Sequence, residues 1–277
     1  MYSETKIAIP IFQRNKEDIL KVANDCIIKG ADILELRIDG MDNPNPQIVK
    51  EIIEEINFPT IATNRTMKEG GSFRGSEEDR IAILRECCDV ADYVDVELQT
   101  DRELIESITE TGVTSIISYH NFKQTPALDI LMDIVIQEKE LGDIAKIAVM
   151  PNTLEDTLTI LPILSHFDNV VAISMGELGS YTRVMASKFD SPITFAAGTD
   201  ATAPGQIDIE TMKALKVNGD FSGMSESEYF MVEKLDFDGG IIKESDDFIH
   251  VMCIEGAGSI GSAGSDCTAC GRGAPAD

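Results

Sequence analysis

A rhythm of short apolar runs alternating with longer amphipathic ones constrains this chain more than any other feature of its sequence. The apolar runs lie at Lys6–Phe12, Asp32–Ile38, Thr60–Arg65, Tyr93–Leu98, Ser115–His120, Ala145–Met150, Val170–Met175 and Ile193–Ala197. Helical spacing fills the gaps. In Lys16–Lys29, the residues Ile19, Val22, Ala23, Cys26 and Ile27 recur every three to four positions. Similar patterns occupy Gln47–Ile56, Glu77–Cys88, Arg102–Thr109, Pro126–Leu141, Leu154–Ser165, Ser180–Lys188 and, in shorter form, Asp208–Leu215. Strand starts recur at roughly the length of one βα unit. Eight such units in succession predict a closed (β/α)8 TIM barrel, an α/β fold, rather than an open doubly wound sheet. No GxGxxG follows the first strand and no GxxxxGK[ST] occurs, so dinucleotide and P-loop readings lose their main signal.

The rhythm stops near Val217. Residues 218–277 form a Gly-rich, acidic C-terminal extension that ends in GAGSIGSAGSDCTACGRGAPAD. The division expected is a catalytic barrel over 1–217 and a partly flexible extension over 218–277. Within the extension, Phe237–His250 could make a hairpin that turns at Gly239-Gly240.

Charge narrows the partners. The 277 residues carry 49 Asp and Glu against 23 Lys and Arg, a formal net charge of -26. Such a surface repels phosphate backbones and anionic lipid, which excludes nucleic acid and membrane surfaces as expected partners. No run approaches the ~18 apolar residues of a membrane span. Met1–Pro10 shows no basic and apolar export signal. Six cysteines, with Cys26, Cys87 and Cys88 in or near apolar helical stretches, fit a reducing compartment, so a cytoplasmic location is expected. An anionic ligand would need a local island of positive charge.

Several strands carry charge that a packing strand does not need. Glu35, Arg37 and Asp39 alternate with Leu34, Leu36 and Ile38; Asp95 and Glu97 alternate with Val94, Val96 and Leu98; and Thr60–Arg65 ends on an arginine, with Glu69 four residues on. On one strand this pattern is equally a solvated surface. In a parallel barrel the outer face is covered by helices, so three charged strands point to a polar bore mouth. Lys146 stands in the otherwise apolar run Ile144–Met150, with Ala148 and Met150 on its face. Desolvation of a buried ammonium favours the neutral amine that attacks carbonyls, the setting for Schiff-base chemistry. A lysine at a strand's start that snorkels to the barrel's bottom fits the spacing as well. His120 ends the fifth strand, where it is either a general acid–base or a hydrogen-bonded loop residue. Ser174–Arg183 reads as a loop that brings Arg183 over the mouth. The loop Gly198–Gln206 carries Asp200, which disfavours a phosphorylated substrate.

Taken in order, ELRID (Glu35–Asp39), NRT with EGG (Asn64–Thr66, Glu69–Gly71), DYVDVEL (Asp92–Leu98), ISYHNF with TP (Ile117–Phe122, Thr125-Pro126), AKIAVMP (Ala145–Pro151), SMGELGSYTR (Ser174–Arg183), SPITFAAG (Ser191–Gly198) and APGQ (Ala203–Gln206) resemble the type I 3-dehydroquinate dehydratases. The resemblance covers residues 1–217. Two small departures are Tyr181-Thr182-Arg183, where the family often has Ser-Arg, and Thr202, where Ser is frequent; both keep the functional atoms. The resemblance implies conversion of 3-dehydroquinate to 3-dehydroshikimate through a lysine imine, in the shikimate pathway, with neither metal nor organic cofactor. It implies that Lys146 forms the imine, that His120 is the acid–base and that Glu69 orients it. Arg183 would clamp the substrate carboxylate, and Glu35, Arg37 and Arg65 would bind hydroxyls and shape the field. Thr202 and Gln206 would close the site, Met175 and Phe195 would form an apolar wall, and the protein would be a homodimer. Two other readings are a Schiff-base aldolase on the same fold, and a non-catalytic barrel carrying a binding module in 218–277. In the extension, His250-x-x-Cys253 and Cys267-x-x-Cys270 have spacings within reach of a metal site, but the Gly and Ser between them favour a flexible tail with incidental thiols.

Overall fold

The computed structural model describes residues 5–198, 202–203, 205–218, 260–262 and 265–267. The chain forms two compact units, Met1–Asn218 and Gly219–Asp277. The first is built on eight parallel strands: β1 Lys6–Ile11, β2 Ile33–Arg37, β3 Thr60–Thr63, β4 Tyr93–Glu97, β5 Thr114–Asn121, β6 Ile144–Val149, β7 Val170–Ser174 and β8 Ile193–Phe195. Their spatial order is β7-β6-β5-β4-β3-β2-β1-β8, so neighbours in sequence are neighbours in space and β8 returns to β1. This is the (β/α)8 barrel that the rhythm predicts. Between β7 and β8 the described residues show no ladder. The seam is bridged where the Ser191 hydroxyl donates to the Val170 carbonyl at 2.7 Å.

Helices alternate with the strands: α1 Lys16–Lys29, α2 Pro46–Ile56, α3 Glu77–Cys87, α4 Arg102–Thr109, α5 Leu128–Leu141, α6 Leu154–Leu158, α7 Ile160–His166, α8 Gly176–Met185 and α9 Ile209–Asn218. Local chemistry sets their ends. Asn15, Asn45 and Ser76 each cap a helix by accepting from the backbone N–H three residues on. Gly30 closes α1 in the left-handed region at φ 97°.

Two helical expectations need correction. Leu154–Ser165 is two helices, because Pro162 has no N–H to continue the ladder; it is tolerated where it stands, in the first turn of α7. The stretch Ser174–Arg183 is not a loop, since α8 starts at Gly176 and carries Arg183 inside it. Its two glycines imitate a loop signal. Gly179 is there for close packing: a Cβ on it would lie 2.3 Å from the Ser174 carbonyl oxygen.

The core has two layers. Ala8, Ile33, Ile61, Ile116, Ile144 and Ile193 belong to the cluster that fills the bore, and Met175 and Phe195 join it. On the outside of the sheet, Ala145, Ile147 and Val149 of β6 pack with Leu131 and Val135 of α5 and Ile160, Ile163 and Leu164 of α7. Period two along β6 therefore sends apolar side chains to the shell and Lys146 and Ala148 to the bore. In the second unit, Ile260–Ser262 pairs antiparallel with Ser265–Cys267. The expected hairpin at 237–250 lies outside the described residues, as do His250, Cys253 and Cys270. Among the described residues no helix is long and apolar enough to cross a membrane.

Candidate active site in the bore

Lys146 projects into the bore from β6 and is 4% exposed. Its Nζ donates to Asp95 Oδ2 at 2.8 Å and stands 3.7 Å from Glu35 Oε1. The Phe195 ring centroid is 4.2 Å away. The strand-start alternative, a lysine reaching for solvent at the barrel's bottom, is thereby set aside. Asp95 comes from β4, and Glu35 comes from β2, where Thr63 Oγ1 donates to it at 2.9 Å.

Arg65, just past β3, ties these strands together. It donates from Nη2 to Asp95 at 2.8 Å and from Nη1 to Ser118 Oγ at 2.7 Å, and Nη1 lies 3.1 Å from Glu97. Asp95 is held well below the ordinary carboxylate range: its burial is outweighed by the Arg65 and Lys146 cations beside it. Arg65 is held charged by the acids that ring it, against its own burial.

His120, near the end of β5, meets Glu69 from the 3-10 turn Met67–Glu69. Glu69 Oε2 accepts from the His120 backbone N–H and contacts Nδ1, both at 3.0 Å. Burial raises Glu69 to about 8 and, together with Arg65 and Lys146, pushes His120 well below its ordinary value. Both shifts disfavour charge, so the pair is neutral at neutral pH. Phe122 stacks beside the imidazole, with ring centroids 6.4 Å apart.

Arg183 reaches the bore from α8 and is buried, with Nη1 donating to the Phe195 carbonyl at 3.4 Å. Burial lowers its pKa to about 10. An anion would offset that desolvation. Met175 and Phe195 lie in the bore cluster.

Arg37 is paired with Asp39: Nε and Nη2 both donate to it, at 2.9 and 2.8 Å, and the guanidinium lies 5.1 Å from the Phe12 ring centroid. Asp39 itself belongs to the 3-10 turn after β2 rather than to the strand. Thr202 and Gln206 meet each other. Gln206 Oε1 accepts from the Thr202 N–H at 2.8 Å and lies 3.3 Å from its hydroxyl.

Asp95, Ser118 and Arg80 are among the participants with no assigned role in the sequence reading. Asp95 is legible as bore-facing, yet nothing in one sequence shows that it touches Lys146. Ser118 is a small hydroxyl without a pattern. Arg80 on α3 is spaced like half of a surface ion pair with Glu77, but it is fully buried and turned toward β4. Among the described residues no group of three or more His, Cys, Asp or Glu is arranged to hold a metal ion.

A buried lysine, a neutral imidazole and a buried guanidinium around one bore suit imine chemistry on a small anionic ketone. Comparison with known proteins agrees with this chemistry. Residues 7–218 match the family model described as type I 3-dehydroquinase. A 3-dehydroquinate dehydratase of Methanobrevibacter smithii is 69% identical over 215 residues, covering 78% of this chain and 96% of that protein. One of Methanothermobacter thermautotrophicus is 52% identical over 211 residues, covering 76% and 96%. Among solved structures, a type I 3-dehydroquinate dehydratase from Clostridium difficile with covalently modified comenic acid superposes with a TM-score of 0.72 at 30% identity, covering 78% of this chain and 92% of that one.

Proposed function

The chain belongs to the type I 3-dehydroquinase family, and we propose that it carries out the family's reaction with the side chains gathered in the bore. The reaction is loss of water from 3-dehydroquinate to give 3-dehydroshikimate, a hydro-lyase step of the shikimate pathway run through a Schiff base. Family membership favours this reaction over the aldolase reading.

The observation that carries the assignment of roles is the placement of Lys146, a buried lysine 2.8 Å from Asp95 with Arg65 on that acid's other side. Lys146 gives up one proton and attacks the substrate ketone through its lone pair; the ketone oxygen takes that proton and a second from Nζ and leaves as water, so that the iminium remains. The resulting iminium is an electron sink, so the adjacent C–H becomes acidic. Asp95 and Glu35 counter the cation while it exists. His120 removes the proton. With Glu69 accepting at Nδ1, Nε2 carries the free lone pair. The same imidazolium then returns its proton to the departing hydroxyl, and water releases the product from Lys146. Arg183 holds the substrate carboxylate. Glu35, Arg37 and Arg65 bind hydroxyls, Met175 and Phe195 pack against the ring, and Thr202 and Gln206 cover it from the last loop.

We assign catalysis to residues 1–217 and no role to 218–277. The protein works in the cytoplasm as a homodimer, a location that suits its three described free cysteines. Borohydride reduction of the full chain mixed with 3-dehydroquinate, followed by peptide mass mapping, tests the site. The adduct is expected on Lys146, and Lys146→Ala is expected to lose both adduct and turnover. An adduct on a different lysine overturns the assignment.

A further inference from the structure

Arg80 is a fully buried guanidinium on α3, outside the barrel wall, and each of its donors has an acceptor. Nε and Nη2 donate to the two oxygens of Glu77 at 2.9 and 2.6 Å, and Nη2 also donates to Thr100 Oγ1 at 2.8 Å. Nη1 donates to the Asn64 carbonyl at 3.0 Å and to Glu97 Oε2. Glu77 alone would neutralise this cation. The contact with Glu97 does something else, because the other oxygen of Glu97 accepts from the Thr66 N–H at 3.0 Å and lies 3.1 Å from Arg65. Charges of alternating sign therefore run without a break from Lys146 to Asp95, Arg65, Glu97, Arg80 and Glu77. The chain starts in the bore and ends on a carboxylate whose side chain is 35% exposed.

Buried ion pairs are weak devices for stability, since apolar replacements of similar volume often do as well. Their directional bonds fix position. We propose that Arg80 is a positioning residue for the imine-forming site, holding Glu97 so that Arg65 and Asp95 present their charges to Lys146 from a fixed geometry. The proposal rests on the reading of Lys146 as the imine former. It places a determinant of the chemistry on an outer helix, beyond the side chains that touch Lys146.

The groups that respond are the titrating pair and its neighbours. Glu69 feels Arg65, Glu97 and Asp95, while His120 feels Arg65, Lys146, Asp95 and Arg37. Arg80 itself faces Glu77, Glu97 and Arg65. Removing a cation from this line makes every proton in the site harder to lose, and removing an anion makes it easier.

The test compares kcat/KM against pH for the full-length protein and its Arg80→Met, Arg80→Lys and Glu77→Gln variants, with thermal unfolding measured alongside. Arg80→Met is expected to lower kcat by about 10- to 100-fold through lost positioning while KM changes little. Its acid limb should rise by about half a pH unit. Arg80→Lys keeps the charge without the fork, so its limb should return to the wild-type position while kcat recovers in part. Glu77→Gln keeps the Arg80 guanidinium and its bond to Glu97 while removing one anion, and should move the limb the opposite way, to lower pH. A merely structural arginine would give activity losses that track unfolding, with the limb unmoved in all variants, and that result overturns the proposal. Should Arg80→Met not fold, an unmoved limb in Glu77→Gln overturns it alone. Borohydride trapping keeps the two readings apart: an adduct away from Lys146 in the wild type sinks the site assignment, whereas an adduct on Lys146 with unmoved limbs sinks the positioning role only.

Discussion

The two faces of the barrel sheet treat a buried carboxylate in opposite ways. On the bore side, Asp95 is enclosed between Arg65 and Lys146, each 2.8 Å from one of its oxygens, with Ser118 Oγ donating at 2.7 Å. On the shell side, Glu138 of α5 is 0% exposed behind β6. It faces the Lys146 backbone, yet neither of its oxygens makes a hydrogen bond of normal geometry. Asp95 is held below the ordinary carboxylate range and Glu138 is pushed well above it, chiefly by burial. Burial is common to both; partners decide the sign. The bore can hold ionised groups because strands β2 to β6 bring opposite charges together, whereas the shell offers α5 only the apolar faces of its neighbours.

The largest effect should come from the bore's working residue. His120→Ala should still form a borohydride-trappable imine but dehydrate about 10²- to 10⁴-fold more slowly. Loss of the adduct with turnover unchanged would contradict the roles given to both residues. Breaking the balance around Asp95 comes next. Asp95→Asn leaves two buried cations short of a counter-charge and should cost about 3–5 kcal/mol in denaturant unfolding at pH 7. Asp95 has a lowered folded-state pKa, so its contribution is present above its ordinary value of 3.8 and fades as the pH falls below it. The deficit of the variant should shrink in acid, and a deficit independent of pH would show that charge is not its cause.

Glu138 should answer in the other direction. Below its ordinary value of 4.5 the folded and unfolded chains both hold the proton. As pH rises, the unfolded chain ionises while the folded one resists, so the wild type loses stability. Glu138→Gln escapes that loss and should be the more stable protein at pH 8, with little difference at pH 4. Destabilisation at pH 8 would mean that the carboxylate has a partner worth more than its burial costs. At the small end, Arg102 and Glu106 form an exposed i,i+4 pair at 2.8 Å. Arg102→Ala should change stability by under about 0.5 kcal/mol and leave the pH profile in place.

Much of the barrel is readable from one sequence because its signals are local. Period two on β6 separates Lys146 and Ala148 from Ala145, Ile147 and Val149, and the structure puts those two sets in the bore and the shell. Helix α1 is bounded as its pattern predicts, since Asn15 and Gly30 cap it with their own chemistry. Where glycine or proline carries two meanings, local signals mislead. Gly176 and Gly179 imitate a loop, but Gly179 lets α8 pack against Ser174, and Pro162 splits a helix that spacing alone would run through.

What the sequence determined by itself was the order of eight βα units, which strand faces carry charge, and the set of residues whose motifs place the chain in its family. Those follow from periodicity and from residue type, which need no knowledge of neighbours in space. Tertiary structure alone decided which charges are paired. Asp95 with Lys146, Arg65 with Glu97, and Glu97 with Arg80 join residues 51, 32 and 17 positions apart. The burial that shifts Glu69 up and His120 down also exists only once the barrel closes. A side chain's charge is written in its own residue, but its energy depends on what surrounds it, and in this chain those surroundings are assembled from different strands.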